Sequence, residues 1–230
     1  MARKLVLFDI DETLIYSDGA GRRAIGSALM NMFGVKTESI KVSMSGKTDQ
    51  QILCEIMTAG GYGRDHYEER LEEWFECYLN ILKEEILHAD PFKVHEGVYD
   101  LLNELDQNQQ ASLGLLTGNI EKGARLKLDK FDLNRYFPIG AYGSDAFDRL
   151  DLPQIAWQRA KDYYKHNFAP EQMVIVGDSI HDIRCAKNYG AVSIAINTGK
   201  TTRQELEALS PDFLFPSLKD VKGVMDAIMN

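Results

Sequence analysis

Five short apolar segments separated by helical stretches constrain this chain more than any other feature. They are KLVLF at 4–8, SLGLLT at 112–117, FPIGAYG at 137–143, MVIVGD at 173–178 and VSIAIN at 192–197. Strands that alternate with helices are joined by crossovers, not hairpins, and build a parallel sheet covered by helices on both faces. In the first segment Val6 and Phe8 project to one face and Leu5 and Leu7 to the other, as a strand buried on both sides requires. The expected class is therefore α/β, a Rossmann-like doubly wound parallel sheet. DFLF at 212–215 is expected to add a short edge strand.

The interval from about residue 17 to residue 92 breaks this rhythm, with helix-like segments and no convincing long strand. Within it Leu71, Trp74, Phe75, Tyr78, Leu82 and Ile86 recur at helical spacing between Glu72, Glu73, Glu76, Glu84 and Glu85. That pattern predicts an amphipathic helix with a solvated acidic face. The expected organisation is an α/β core domain formed by residues 1–16 and 92–230, with residues 17–91 inserted after the first strand as a helical domain.

Open parallel sheets bind ligands beyond the C-terminal ends of their strands. The first strand here ends on Asp9, Asp11 and Thr13, the second on Thr117, Gly118 and Asn119, and the fourth on Gly177, Asp178, Ser179 and Asp182. Carboxylates as close as Asp9 and Asp11 repel each other unless one is protonated or a cation lies between them. An isolated DxD reads most simply as an Asp-rich turn. Three strand ends that together deliver four carboxylates and three hydroxyls to one edge do not.

A chain of 230 residues that is 44% hydrophobic is long enough to bury a substantial core. Its formal net charge of -9 argues against a general nucleic-acid binder, which needs a basic face. Cys54, Cys77 and Cys185 are widely spaced and form no CxxC pair, so neither a disulfide framework nor a zinc site is expected. The first apolar run is cut short by Asp9 and Asp11, too early for a signal peptide or a membrane span. A cytoplasmic protein is the default, and nothing in the sequence specifies an oligomeric state.

DxDxT at Asp9–Thr13, the apolar strand ending in Thr117 and GDxxxD at Gly177–Asp182, in this order and over nearly the whole chain, resemble the haloacid dehalogenase superfamily of phosphohydrolases. The likeness is to its members with a helical cap after the first strand, the phosphoglycolate phosphatase and β-phosphoglucomutase-like branch. The resemblance implies a Mg²⁺-dependent phosphatase acting on a small phosphomonoester. Asp9 would attack phosphorus to form an aspartyl-phosphate and also ligate the metal. Asp11 would protonate the leaving oxygen and then deprotonate water, with its backbone carbonyl on the metal. Asp178 would complete the protein's metal ligands, with Asp182 orienting the metal shell or a basic partner. Thr117, with Thr13, Gly118 and Asn119 nearby, would bind phosphoryl oxygens. Most relatives carry a Lys before the helix that here begins near Pro153; this chain has FDRLDLPQ, and Arg149 is the nearest cation to take that role. Glu12 stands where many relatives have Gly.

SGKT at Ser45–Thr48 looks like the end of a P-loop, but that pattern needs Gly at position 41, where Lys41 stands, and a buried strand before it. Inside the inserted domain, Lys47 is instead expected to reach the non-reacting end of the substrate, with a solvated loop Lys as the alternative. Dehalogenases and phosphonate-cleaving relatives lack the second aspartate, so Asp11 disfavours both. A sugar phosphomutase of the β-phosphoglucomutase type stays open, as does a catalytically silent protein that binds a partner through its acidic helical face.

Overall fold

The structure is a computed structural model that describes residues 3–37, 40 and 42–230. Lys41, the residue that breaks the P-loop pattern, lies outside the described residues. The first part of the chain runs β1 (Lys4–Phe8), β2 (Ile15–Tyr16), α1 (Ala20–Phe33), α2 (Asp49–Ala59), α3 (Leu71–His88) and β3 (Lys93–Val94). It continues through α4 (Val98–Gln107), β4 (Ala111–Leu116), α5 (Glu121–Asp129), β5 (Ile139–Ala141), α6 (Leu152–Tyr164) and β6 (Met173–Gly177). Then come α7 (Ile180–Tyr189), β7 (Val192–Ile196), α8 (Arg203–Ala208), β8 (Phe213–Phe215) and α9 (Val221–Met229).

Six strands form one parallel sheet in the order β5-β4-β1-β6-β7-β8, as the alternating pattern predicts. β1 lies inside it, paired with β4 from Lys4↔Ala111 to Phe8↔Leu115 and with β6 from Leu5↔Met173 to Phe8↔Val176. Its two faces enter different parts of the core. Val6 and Phe8 pack into the larger cluster with Phe137 and Val174, while Leu5 and Leu7 join Leu152, Phe168 and Met173 on the other side. The expected strand at 137–143 shrinks to Ile139–Ala141 because Phe137 ends a 3₁₀ turn and the Tyr142 N–H donates to Asp145 instead of to a neighbouring strand.

The interval after β1 begins and ends in a feature too short to show in the sequence. β2 pairs antiparallel with β3, Ile15 with Val94 and Tyr16 with Lys93, and this two-stranded ribbon joins the start and end of the helical segment. Between them α3 extends from Leu71 to His88 and buries Trp74, Phe75, Tyr78, Leu82 and Ile86, the face expected from the 3.6-residue repeat. It packs against α1, whose buried face carries the small residues Ala20, Gly21, Ala24 and Ala28. The rings of Trp74 and Tyr78 stack with centroids 5.6 Å apart and planes 7° from parallel.

Trp74 is fully buried, so Trp74→Ala is expected to cost about 3–5 kcal/mol through lost burial and the cavity left behind. Urea denaturation of the two proteins measures this directly. A loss below about 0.5 kcal/mol, the scale of a surface substitution, would show that the helical segment does not depend on that ring.

Candidate active site

β1 and β6 are neighbours, so the residues just beyond their C-terminal ends meet. The Asp9 N–H donates to the Val176 carbonyl at 2.9 Å, extending the ladder one residue past the strand and fixing where the Asp9 side chain starts. Asp178 follows β6 directly. Asp182 arrives from the first turn of α7, where it forms a capping box with Ser179: its Oδ2 accepts from the Ser179 N–H at 3.0 Å and from the Ser179 hydroxyl at 2.6 Å. Gly177 makes this approach possible, because a Cβ there would lie 2.2 Å from Asp182 Cγ. One oxygen each from Asp9, Asp178 and Asp182 then lie within 4.8 Å of one another, all in buried side chains.

Arg149 is the counter-charge. It sits in a 3₁₀ turn just before α6, is 3% exposed, and places Nη2 at 3.1 Å from Asp9 Oδ1 and 2.5 Å from Asp182 Oδ1. One cation does not balance three buried carboxylates. Burial, with the Asp182 and Asp11 charges added, pushes Asp9 up to about 6 despite Arg149, and burial with the Asp182 and Asp9 charges pushes Asp178 well above its usual value. Asp182 spends its oxygens on Arg149 and Ser179. Asp9 and Asp178 remain as a buried pair of hard oxygen donors, a set that suits Mg²⁺ and, lacking His and Cys, does not suit zinc.

Asp11 lies on the opposite flank and is held quite differently. Its Oδ2 accepts from Lys127 Nζ at 2.6 Å and from Asn119 Nδ2 at 2.9 Å, and its Oδ1 accepts from the Ser17 hydroxyl at 3.0 Å. Burial raises its pKa, but the Lys127 charge and the hydrogen bonds from Lys127, Asn119 and Ser17 outweigh that and hold Asp11 below its ordinary value. The Asn119 amide also donates to Thr117 Oγ1 at 2.9 Å. Just after the second aspartate the chain turns sharply, with Glu12 at φ 62° in the left-handed region. That is the conformation glycine adopts at least cost. The Glu12 side chain stays at the site, 4.0 Å from His95 Nε2, where burial and the Asp11 charge raise it to about 7.

A cavity of about 460 Å³ opens over these residues, with Asp9, Asp11, Thr117, Arg149 and Asp178 on its floor and Lys47 on the wall supplied by the helical segment. The Lys47 ammonium is paired with Glu55 Oε2 at 2.5 Å. The start of α2 is tied to the core by the Asp49 N–H to the Gly118 carbonyl at 2.8 Å, the Ile120 N–H to Asp49 Oδ2 at 2.9 Å, and the Thr48 hydroxyl to the Phe147 carbonyl at 2.8 Å. Gly118 permits the contact, since a Cβ there would lie 1.9 Å from the Lys47 carbonyl oxygen. Asp49 is buried in this joint and its carboxyl is raised to about 6 by burial, with the Lys127 charge acting in the opposite direction.

The residues expected from the sequence thus converge, with one change of place. Thr13 is fully buried and its hydroxyl points to Asp178 Oδ1 at 3.5 Å, so it supports a carboxylate and does not line the cavity as a substrate contact. Lys127 and Asp49 were not anticipated. Lys127 did leave a trace: α5 buries Gly123, Ala124, Lys127 and Leu128, so an ammonium interrupts the face that periodicity reserves for apolar side chains.

A family model described as haloacid dehalogenase-like hydrolase matches residues 6–196. A phosphoglycolate phosphatase of Vibrio vulnificus strain CMCP6 is 27% identical over 227 residues, covering 96% of this chain and 96% of its own. A pyrophosphatase of Bacillus mycoides strain KBAB4 is 25% identical over 159 residues, 69% of this chain and 71% of its own. The fold is shared with the crystal structure of a hydrolase from Pseudomonas syringae, with TM-score 0.70, 21% identity and coverage of 98% of each chain. It is also shared with a predicted phosphatase from Clostridium acetobutylicum, with TM-score 0.71, 19% identity and coverage of 98% of this chain and 100% of that one.

Removing the buried counter-charge is expected to be severe. Arg149→Met leaves Asp9 and Asp182 without their cation and should destabilise the fold by about 3–5 kcal/mol, read by urea denaturation. A variant as stable as the parent would mean that the charge balance of the site is held elsewhere.

Proposed function

The chain belongs to the haloacid dehalogenase-like hydrolase family, and from that premise we propose that it is a Mg²⁺-dependent phosphatase that cleaves a small phosphomonoester through an aspartyl-phosphate on Asp9. The observation that carries this reading is the division of labour between the two neighbouring aspartates. Asp9 lies against Arg149 beside Asp178, and Asp11 lies against Lys127 and Asn119. The residues 17–91 are read as a cap over the cavity. Relatives named phosphoglycolate phosphatase support a substrate of that size.

Asp9 and Asp178 would hold the metal, with the Asp11 carbonyl as a further ligand; when bound, Mg²⁺ neutralises charge on the phosphoryl group and orients it. The Asp9 carboxylate attacks phosphorus while the bond to the leaving oxygen breaks. Arg149, the Thr117 hydroxyl and the backbone N–H groups of Gly118 and Asn119 stabilise the transferring oxygens. Asp11, which Lys127 keeps ionised in the absence of substrate, carries a proton once the negative phosphate lies beside it and supplies that proton to the leaving oxygen. Water then attacks the phosphorus of the aspartyl-phosphate, Asp11 takes the water's proton, and Asp9 is released as a carboxylate with inorganic phosphate. The proton gained in that second step is the one delivered to the next leaving group.

Phosphate release from a panel of phosphomonoesters, with and without Mg²⁺, tests the reading. Chelation should abolish turnover and Mg²⁺ should restore it, while full activity after exhaustive chelation would exclude the mechanism. Asp9→Asn should remove essentially all turnover with the circular dichroism spectrum retained, because an amide is neither a nucleophile nor a good ligand for a hard cation.

Lys47 is assigned to the end of the substrate remote from phosphorus, supported by its place on the cap wall of the cavity. Lys47→Ala is expected to lower kcat/KM for the preferred substrate by about tenfold or more, the size of one charge-assisted hydrogen bond. An aryl phosphate, which has no remote polar group, should be affected far less. Equal losses on both would assign Lys47 to the phosphoryl group or to folding instead.

A further inference from the structure

We infer that Lys127 is a positioning residue for Asp11, holding the proton-transfer carboxylate in place from beneath the inserted helices; the inference rests on the phosphatase reading above. An ammonium placed in a protein interior costs several kcal/mol unless strong partners compensate for its lost hydration. Lys127 is 3% exposed, on the face of α5 that also buries Ala124 and Leu128. Its Nζ donates to Asp11 Oδ2 at 2.6 Å and to Asn119 Oδ1 at 2.7 Å.

These two bonds do more than pair a charge. An asparagine amide has one end that accepts and one that donates. Because Lys127 engages Asn119 Oδ1, the Nδ2 end is turned toward Asp11 Oδ2 at 2.9 Å and Thr117 Oγ1 at 2.9 Å. Lys127 therefore acts on Asp11 twice, once directly and once by setting the orientation of Asn119. The closed triangle of Lys127, Asn119 and Asp11 fixes Oδ2, while Ser17 holds Oδ1.

The ammonium is roofed by the helical segment. A Cβ built on Gly21 of α1 would lie 3.1 Å from Lys127 Nζ, and the Tyr78 hydroxyl of α3 lies 3.8 Å from that same point. α1 thus comes close over the ammonium where it carries no side chain. The roof excludes water that would otherwise compete for Nζ, so the Lys127–Asp11 bond is strong only while these helices cover it. Lys127 borders the cavity, but its ammonium is engaged by Asp11 and Asn119. Lys127 should accordingly govern turnover and leave substrate affinity alone.

The test uses the full chain, a phosphomonoester that the parent protein turns over, and the variants Lys127→Met and Lys127→Arg, with Asp11→Asn as a second background. Lys127→Met is expected to lower kcat by at least about tenfold, the lower range of what a placed proton-transfer group contributes, with KM within about twofold. Lys127→Arg keeps the charge and should recover part of the loss. Combined with Asp11→Asn, Lys127→Met should cost less than about twofold further, because groups that act through one another are not additive. A rise in KM with kcat retained would overturn the inference by making Lys127 a substrate contact. So would an equal cost of Lys127→Met in both backgrounds, or an unchanged kcat. Thermal melting accompanies each variant; if Lys127→Met does not fold, Lys127→Gln decides, and parent-like kcat in that variant overturns the inference. A parent protein inactive on every phosphomonoester would sink the phosphatase reading itself, which is a different result.

Discussion

Four carboxylates converge at the C-terminal edge of β1 and β6, and much of the surrounding structure answers their repulsion. Burying one ionised carboxylate is costly and burying several together is more so. The chain separates them into two groups with different counter-charges. Asp9, Asp178 and Asp182 share Arg149 from the turn before α6, and Asp11 has Lys127 from α5. The separation explains why two residues so close in sequence are driven in opposite directions, Asp9 upward by burial and Asp11 downward by its ammonium partner. It also leaves the first group short of positive charge, as a site for a divalent cation must be.

The parallel sheet was legible because its inner strands are continuous apolar runs, and β1, β4, β6 and β7 fall within a residue of where those runs lie. β5 was read too long because Phe137 and Tyr142 are apolar for reasons other than strand pairing, one closing a 3₁₀ turn and the other packing beneath Arg125 and Arg159. The β2–β3 ribbon was invisible, since two residues carry no period. At the site, Asp9, Asp11, Thr117 and Asp178 were readable from their places after strands. Arg149 was found as the nearest cation to a helix start. Lys127 was not, because its partner Asp11 is 116 residues away in sequence and a lone Lys in a helix is ordinarily solvated. Thr13 was placed on the right edge, but its contact with Asp178, 165 residues away in sequence, was not legible.

On the core side, the joint with the inserted helices is made from backbone groups. The N-terminus of α2 meets the carbonyl of Gly118 and the N–H of Ile120, which belong to the same loop as Thr117 and Asn119. One loop therefore serves two surfaces, lining the cavity on one side and forming a docking strip on the other. The helical half of these contacts comes from Thr48, Asp49 and Gln50, so a side-chain change at Lys47 leaves the joint's hydrogen bonds in place. The floor is free to stay constant while the wall changes.

The position of β1 has a consequence for the order in which this protein comes into being. β1 precedes both of its neighbours in the chain, for it lies between β4, which begins at Ala111, and β6, which begins at Met173. Neither edge of β1 is covered until those segments leave the ribosome, and pairings across such long loops are slow to form. A nascent chain thus carries an apolar strand with both edges open until β4 follows and one open until β6 does, the condition under which unpaired strands associate with one another. The two aspartates that end this strand put charge at its exit, which opposes such association.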